Sequence, residues 1–182
     1  MRRLFFGVRT VIIIGFILFF GYLYKNHYIS LTLYTALCIS AIVLSSILQI
    51  FFITRRKEKQ LQLIKENTHL LRSDPDKYLR IIDEVKRDSD NYIKGYLLIH
   101  KAKVLEQLNR KEEMLSLLEN EDVYYLSNFL KRKYIVTYIE ALELNNNFEK
   151  AKSVFLENEQ ELSKSKEHDI LQLYKKFENK YK

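Results

Sequence analysis

The stretch "YIEALELNNNFEKAKSVFLE", residues 138–157, decides how this chain is read. Its middle is three asparagines, Asn145 to Asn147, a local composition that favours turns because asparagine tolerates left-handed backbone. Apolar residues on either side recur at helical spacing. Leu142 closes the first run. Phe148, Ala151 and Phe155 fall on one face of the second. The pattern predicts two helices folded back on each other through a short turn.

Working outward, the same relation recurs. Leu105, Met114 and Leu118 stand to one another as Leu142, Ala151 and Phe155 do, at a shift of 37 residues. Ile81 and Val85 repeat the Met114 and Leu118 pair at a shift of 33. Helix pairs at periods of this length mark repeat arrays, in which one pair cannot bury its apolar face and stacked pairs share a core. Three pairs are expected. The first joins "KEKQLQLIKENTHLL", with Leu61, Ile64 and Leu71 near one face, to "DKYLRIIDEVKR", with Tyr78, Ile81, Ile82 and Val85 on one side. "SDP" between them offers Ser73 or Asp74 as a cap and Pro75 at the first helical position. The second opens after "DSDN" with "YIKGYLLIHKAKVLEQL", whose apolar positions include Tyr92, Tyr96, Ile99 and Leu105, and continues through "KEEMLSLLE". The third runs from "YYLSNFLKRKYIVTYIEALEL" into a helix from about 148 to 162. "EHDILQLYKKFENKY", with Ile170, Leu171, Tyr174 and Phe177 on one face, is expected to cap the array.

On residues 138–157 the chain resembles the tetratricopeptide repeat family. Phe148, Ala151 and Phe155 follow that family's second-helix pattern of aromatic, alanine and aromatic, and Leu142 falls where the first helix has a bulky residue. The resemblance extends over roughly residues 56–163. Two units depart from the pattern: Met114 and Ile81 stand where the family prefers alanine, Lys111 replaces the aromatic, and the motif glycine is missing throughout. The resemblance implies an α-solenoid with a concave face that binds protein segments.

The front of the chain differs in kind. Residues 4–24 are apolar except for Arg9 and Thr10. As a helix they reach about 31 Å, close to the ~30 Å hydrocarbon thickness, with Arg9 turned back toward the headgroups. Residues 31–53 carry no charge and reach about 34 Å. The short "KNHYIS" link makes the two antiparallel, so residues 1–54 are expected to be a transmembrane hairpin and residues 55–182 a separate helical-repeat domain. Thr32, Ala36 and Ser40, and again Ala41 and Ser45, put small residues at spacings of four, which let helices approach closely in lipid. They fit packing against the first helix, and also self-association into a homo-oligomer. Residues 1–24 resemble a signal peptide in place only: the apolar run is long and no small-x-small site follows it. Arg2, Arg3 and Arg9 at the N-terminal end and Arg55, Arg56 and Lys57 after the second run, against Lys25 alone in the link, are expected to place both termini in the cytoplasm at the cell membrane.

Composition narrows function further. The formal net charge is +7, of which residues 1–54 hold four basic side chains and no acid. The remainder interleaves lysine with glutamate, the pattern of solvated helix faces rather than of a phosphate-binding stripe, so no nucleic-acid partner is expected. One proline and four glycines among 182 residues point to a nearly all-helical chain. Richness in Lys, Asn, Ile, Tyr and Phe is what AT-rich codons produce and points to a low-GC bacterium. His27, His69, His100 and His168 are scattered and form no metal-ligand spacing. Cys38, the one cysteine, lies in the second apolar run and reads as a small lipid-buried side chain. Gly95 alone is outside the front end, which leaves no phosphate loop, and the Glu112–Glu113 pair sits among lysines on an exposed face. No catalytic residue, cofactor or metal site is expected.

Tyr124, Tyr125, Phe129, Tyr134 and Tyr138 crowd what reads as one helix. Tyrosine is favoured at recognition surfaces, and Tyr96, Tyr134 and Tyr138 are the expected protein-binding residues. The expected function is a membrane-anchored adaptor or scaffold that holds a protein partner at the cytoplasmic face. The alternative is a small accessory or immunity-type subunit of a transporter or other membrane complex, recognised through its hairpin.

Overall fold

The computed structural model describes residues 2–182, with side chains from Ile14 onward. The fold is all-α, with no strand among the described residues. Its helices are α1 (Arg2–Lys25), α2 (Leu31–Glu66), α3 (Leu70–Ser73), α4 (Pro75–Arg87), α5 (Asn91–Gln107), α6 (Lys111–Glu119), α7 (Asn128–Leu144), α8 (Phe148–Ser163) and α9 (His168–Tyr181). Two compact units divide the chain, Met1–Lys59 and Gln60–Lys182.

In the first unit, α1 and α2 are joined by a turn in which His27 takes a positive φ of 58°. Tyr24 stacks on Tyr34 with ring centroids 5.6 Å apart. One helix among the described residues, α2, is long and apolar enough to cross a membrane, and none of its apolar window is buried within the chain. The described apolar part of α1, Ile14–Lys25, is shorter. The Arg2, Arg3 and Arg9 side chains lie outside the described residues. Along α2 the polar side chains turn back on their own helix: Thr35 donates to Thr32 O at 2.9 Å, Ser40 to Leu37 O at 2.9 Å and Ser46 to Ile42 O at 2.8 Å. Hydroxyls satisfied in this way can sit in an apolar surrounding without the cost of an unpaired polar group.

In the second unit each helix from α3 to α9 packs on the next, and α5, α7 and α9 also pack on one another in that order. Local signals set the boundaries. The Asp74 side chain accepts the Lys77 N–H with Pro75 at the first position of α4. Asp90 caps α5 through Ile93 N–H and Ser127 caps α7 through Leu130 N–H. The 37-residue shift reappears in atomic detail. Asn109 and Asn146 both take positive φ, 58° and 61°. Arg110 N–H and Asn147 N–H donate to Leu105 O and Leu142 O, each at 2.9 Å. The α5–α6 and α7–α8 turns are thus copies of one left-handed helix stop, which asparagine enters more readily than other non-glycine residues. The first expected pair does not share it: α2 is followed by the single turn α3 and the Asp74–Pro75 start.

The core falls into two clusters. One holds Tyr78, Ile82, Leu97, Leu98, Leu105, Met114 and Leu118 with Ile64 from the end of α2; the other holds Ile135, Ile139, Leu142, Ala151, Phe155, Leu162, Ile170 and Phe177. Leu115, Tyr134 and Tyr138 touch both.

Two expectations need correction, at the starts of α8 and α7, and the open side of α5 is set by its neighbours. Phe148 does not share the buried face of Ala151 and Phe155. It is the first residue of α8 and 46% exposed, with Lys180 Nζ 5.0 Å from its ring centre. On α5 the buried residues are Ile93, Leu97, Leu98, Ala102, Val104 and Leu105, while Tyr92 and Tyr96 point outward. Because α4, α6 and α7 all surround α5, burial covers much of its circumference and the single stripe read from the tyrosines is the open side. Tyr124 and Tyr125 precede α7 rather than belong to it, because the Ser127 cap starts the helix at Asn128.

Gly95 is buried inside α5, where glycine costs about 1 kcal/mol relative to alanine. A Cβ there would overlap Leu126 Cδ2 and press on Leu130 Cδ1 at 3.1 Å. Gly95→Ala is therefore expected to lower stability by about 1–2 kcal/mol, overpacking outweighing the gain in helix propensity. Urea denaturation followed by circular dichroism measures it; a stabilised variant would show that Leu126 moves aside freely.

Candidate protein-binding face

Two aromatic groups stand on the second unit, and they are separate. The first is on α4 and α5. Tyr92, Tyr96 and His100 follow one another at spacings of four and so share a stripe of α5. Tyr96, 43% exposed, stacks on the His100 ring with centroids 6.2 Å apart and an interplanar angle of 7°. His100 also meets the fully buried Tyr78 edge to face, and its Nε2 is hydrogen-bonded to the Tyr78 hydroxyl at 3.0 Å. Burial holds the His100 imidazole below its ordinary value of 6.5 and raises the Tyr78 hydroxyl above its own, with Tyr96 adding to the second effect. Histidine thus fixes the exposed Tyr96 ring from beneath, a link that the tyrosine and histidine spacing of four carried in the sequence but that single residues did not.

Tyr134 and Tyr138 form the second group, stacked with centroids 5.9 Å apart. Both turn toward the end of α6. Tyr134 Oη donates to Leu118 O at 2.8 Å, and Tyr138 Oη to Glu119 at 3.3 Å. Burial, followed by the Tyr138 and Glu119 neighbours, pushes the Tyr134 hydroxyl up to about 12. Lys150 lies 5.7 Å over the Tyr138 ring and pairs with Glu119 at 2.7 Å. These two tyrosines are half-buried and bridge the two core clusters, whereas Tyr96 faces outward.

Ion pairs tie the open sides of α5, α7 and α9 together. Lys103 on α5 pairs with Glu140 at 2.6 Å, Lys133 on α7 with Asp169 at 3.3 Å, and Lys180 on α9 with Glu143 at 2.8 Å. Burial opposes the Lys103 charge, yet Glu140 and Glu106 outweigh it and raise the ammonium above its usual range. Burial likewise opposes the Glu143 carboxylate, and hydrogen bonds from Lys180 and Tyr181 outweigh that and hold it low. Half-exposed pairs of this kind contribute about 0–1 kcal/mol each. Their larger effect is to fix which side chains remain free on that face.

Little on this unit proposes chemistry. No cluster of His, Cys, Asp and Glu among the described residues has the arrangement of a metal site. The groove between α5 and α6, lined by Lys101, Leu105, Glu112, Glu113, Ser116 and Leu117, is open and shallow. The close contact of the Ser165 hydroxyl with the Glu167 carboxylate lies at the start of α9, beside Arg132, which pairs with the same carboxylate at 3.3 Å. Of the basic residues after the apolar run, Arg55 sits 4.8 Å over the Phe51 ring, and Arg56 is exposed with Lys57 half-exposed.

The His100 environment gives a pH prediction. With the folded value below the unfolded value of about 6.5, the unfolded chain binds more protons between the two, so stability rises with pH there. Stability is expected to be full above about pH 6.5 and to fall as pH drops below it. Paired carboxylates such as Glu113, Glu119 and Glu143, held low in the fold, add a separate loss below about pH 4.5. Thermal melts between about pH 7.5 and about pH 5, which bracket the histidine value, should show the upper slope in the wild type and a flatter one in His100→Gln. An equal slope in both would assign it elsewhere.

No protein-family model, curated protein or solved structure matches this chain.

Proposed function

We propose that the chain is a membrane-anchored adaptor. Residues 1–54 cross the cell membrane as a two-helix hairpin, with both termini cytoplasmic, and residues 55–182 form a tetratricopeptide-like solenoid that holds a protein partner at the inner face. The observation that carries this reading is α2. Its apolar length is unburied within the chain, and the same helix ends in Ile64, which is packed into the first core cluster. A helix that leaves its apolar part bare while rooting its end in a polar-surfaced unit fits an anchor. The 37-residue copy of turn and core positions supports the repeat reading. So does the packing order, in which α5, α7 and α9 line up while α6 and α8 lie beside them.

The binding face is the open side of α5 and α7. Tyr96 with Tyr92 supplies exposed aromatic area held in place by His100, and Phe129 and Lys133 occupy the corresponding positions of α7. Tyr134 and Tyr138 contribute at most their edges. Restricting the partner to the membrane plane raises its local concentration, which is the functional return of tethering.

The test is cross-linking in native membranes with the full chain, with a chain carrying an unrelated two-span anchor in place of residues 1–54, and with Tyr92→Ala/Tyr96→Ala. The adaptor reading expects the same cross-linked protein with either anchor and its loss in the tyrosine variant, with helicity unchanged. Loss on exchanging the anchor, with the tyrosine variant unaffected, would instead make the hairpin the recognition element of an accessory or immunity-type subunit.

A further inference from the structure

The second unit has two ends, and they differ. At one end lie the links α4–α5, α6–α7 and α8–α9. Lys86, in the last turn of α4, pairs with Glu121 of the α6–α7 link at 2.6 Å. Gly95, near the start of α5, faces Leu126 of the same link. Arg132, near the start of α7, pairs with Glu167 of the α8–α9 link at 3.3 Å. At the other end lie the turns around Asn109 and Asn146, joined by Asn145 Nδ2 to Lys111 O at 3.0 Å.

The first of these ends is where the unit is tethered. Gln60, its first residue, donates to Asp88 O in the α4–α5 link at 3.5 Å. Seven residue steps separate Gln60 from Ile53, the last residue of the apolar run. Even fully extended, that much chain spans at most about 25 Å. The limit is covalent and holds for any angle between the units.

That end also presents the most exposed large apolar side chain of the unit. Tyr124 is 85% exposed. It projects from a link that is fastened on both sides: Asp122 accepts the Tyr124 N–H at 3.3 Å, the Tyr125 hydroxyl donates to Glu121 at 3.0 Å, and Leu126 is buried against α5. Tyr92, 48% exposed, opens α5 at the same end, and Lys164 and Lys166 are exposed in the α8–α9 link. Tyrosine beside lysine is the side-chain pairing that suits the membrane interface: the ring sits among headgroups, its hydroxyl stays wet, and the ammonium meets phosphate.

We propose that this end of the second unit contacts the phospholipid headgroup layer, with Tyr124 inserted among the headgroups. The proposal rests on the membrane reading above and adds a second, peripheral attachment to it.

The chain contains no tryptophan, so one indole reports on one place. Tyr124→Trp and, at the opposite end, Phe148→Trp are reconstituted as full chains into vesicles of phosphatidylcholine and phosphatidylglycerol carrying a nitroxide on the headgroup. Both positions are exposed and tolerate the ring. The Tyr124→Trp indole is expected to be quenched about twofold or more relative to the Phe148→Trp indole. Equal quenching at positions 124 and 148 overturns the contact. So does a Tyr124→Trp indole quenched by an aqueous agent but not by the labelled lipid, which leaves the side chain in water. Flotation with the vesicles is scored separately: a chain that fails to float sinks the anchored reading, whereas one that floats unquenched sinks this contact alone.

Discussion

Phe155→Ala is expected to cost about 3–5 kcal/mol of stability, the range for removing a fully buried aromatic side chain. Phe155 has no exposed surface and meets three rings of α9: Tyr174 at 5.8 Å, Phe177 at 6.2 Å and Tyr181 at 5.9 Å between centroids. It is the side chain of α8 that three rings of the last helix meet. Little in this corner can refill the space, because Ala151 beside it has only a methyl group. Denaturant titration of the wild type and variant, read by circular dichroism in the same detergent, measures the effect. A loss below about 1 kcal/mol would mean that α9 is held by its ion pairs, contrary to the small worth of such pairs. Leu156→Ala, one residue on and exposed, is the control expected to change little.

The second large effect concerns α2. Ile42→Arg together with Val43→Arg places two guanidinium groups in the middle of the uncharged run, at about 2.5–3.5 kcal/mol each on an insertion scale. Both side chains are exposed in the chain, so the packed unit is untouched. Cys38, the only cysteine, is a native reporter four residues away. In sealed vesicles the wild-type thiol should resist a membrane-impermeant maleimide until detergent is added, while in the double variant it should react before. A wild-type Cys38 that labels freely in intact vesicles would remove α2 from the bilayer and the anchored reading with it.

The sequence made the helices legible because their signals are local. Asp74 and Asp90 are short polar side chains that accept a backbone N–H, and each sits where the pattern expected a cap or a break. The asparagine turns were legible for the same reason. Depth of burial was not. On α5, Tyr92 and Tyr96 read as apolar helix positions, with Tyr96 also a candidate for binding, and spacing alone did not say which side was open, because which side of a helix is covered depends on how many neighbours surround it. Phe148 shows the same limit at a helix start, where a first-turn side chain can point past the packed face. The Ser127 cap was missed, because the aromatic run on both sides of it reads as one continuous helix. For the binding face, Tyr96 was legible as an aromatic and its spacing of four from His100 stood in the sequence, whereas the Tyr78–His100 hydrogen bond was not legible, because a contact across 22 residues leaves no periodic trace.

The division of the core into two clusters bears on how the unit comes apart. Leu115, Tyr134 and Tyr138 are the side chains common to both, and two of them are a stacked pair whose hydroxyls hold the end of α6. Cooperativity between the halves must pass through this joint. Chains built of neighbouring segments open in sub-global steps when a joint is weaker than the segments it connects. The segment α7–α9, which carries the second cluster, is then expected to open as a foldon of its own, exchanging its amide hydrogens apart from the first cluster. The tyrosine pair sets whether that happens separately or only with the collapse of the whole array.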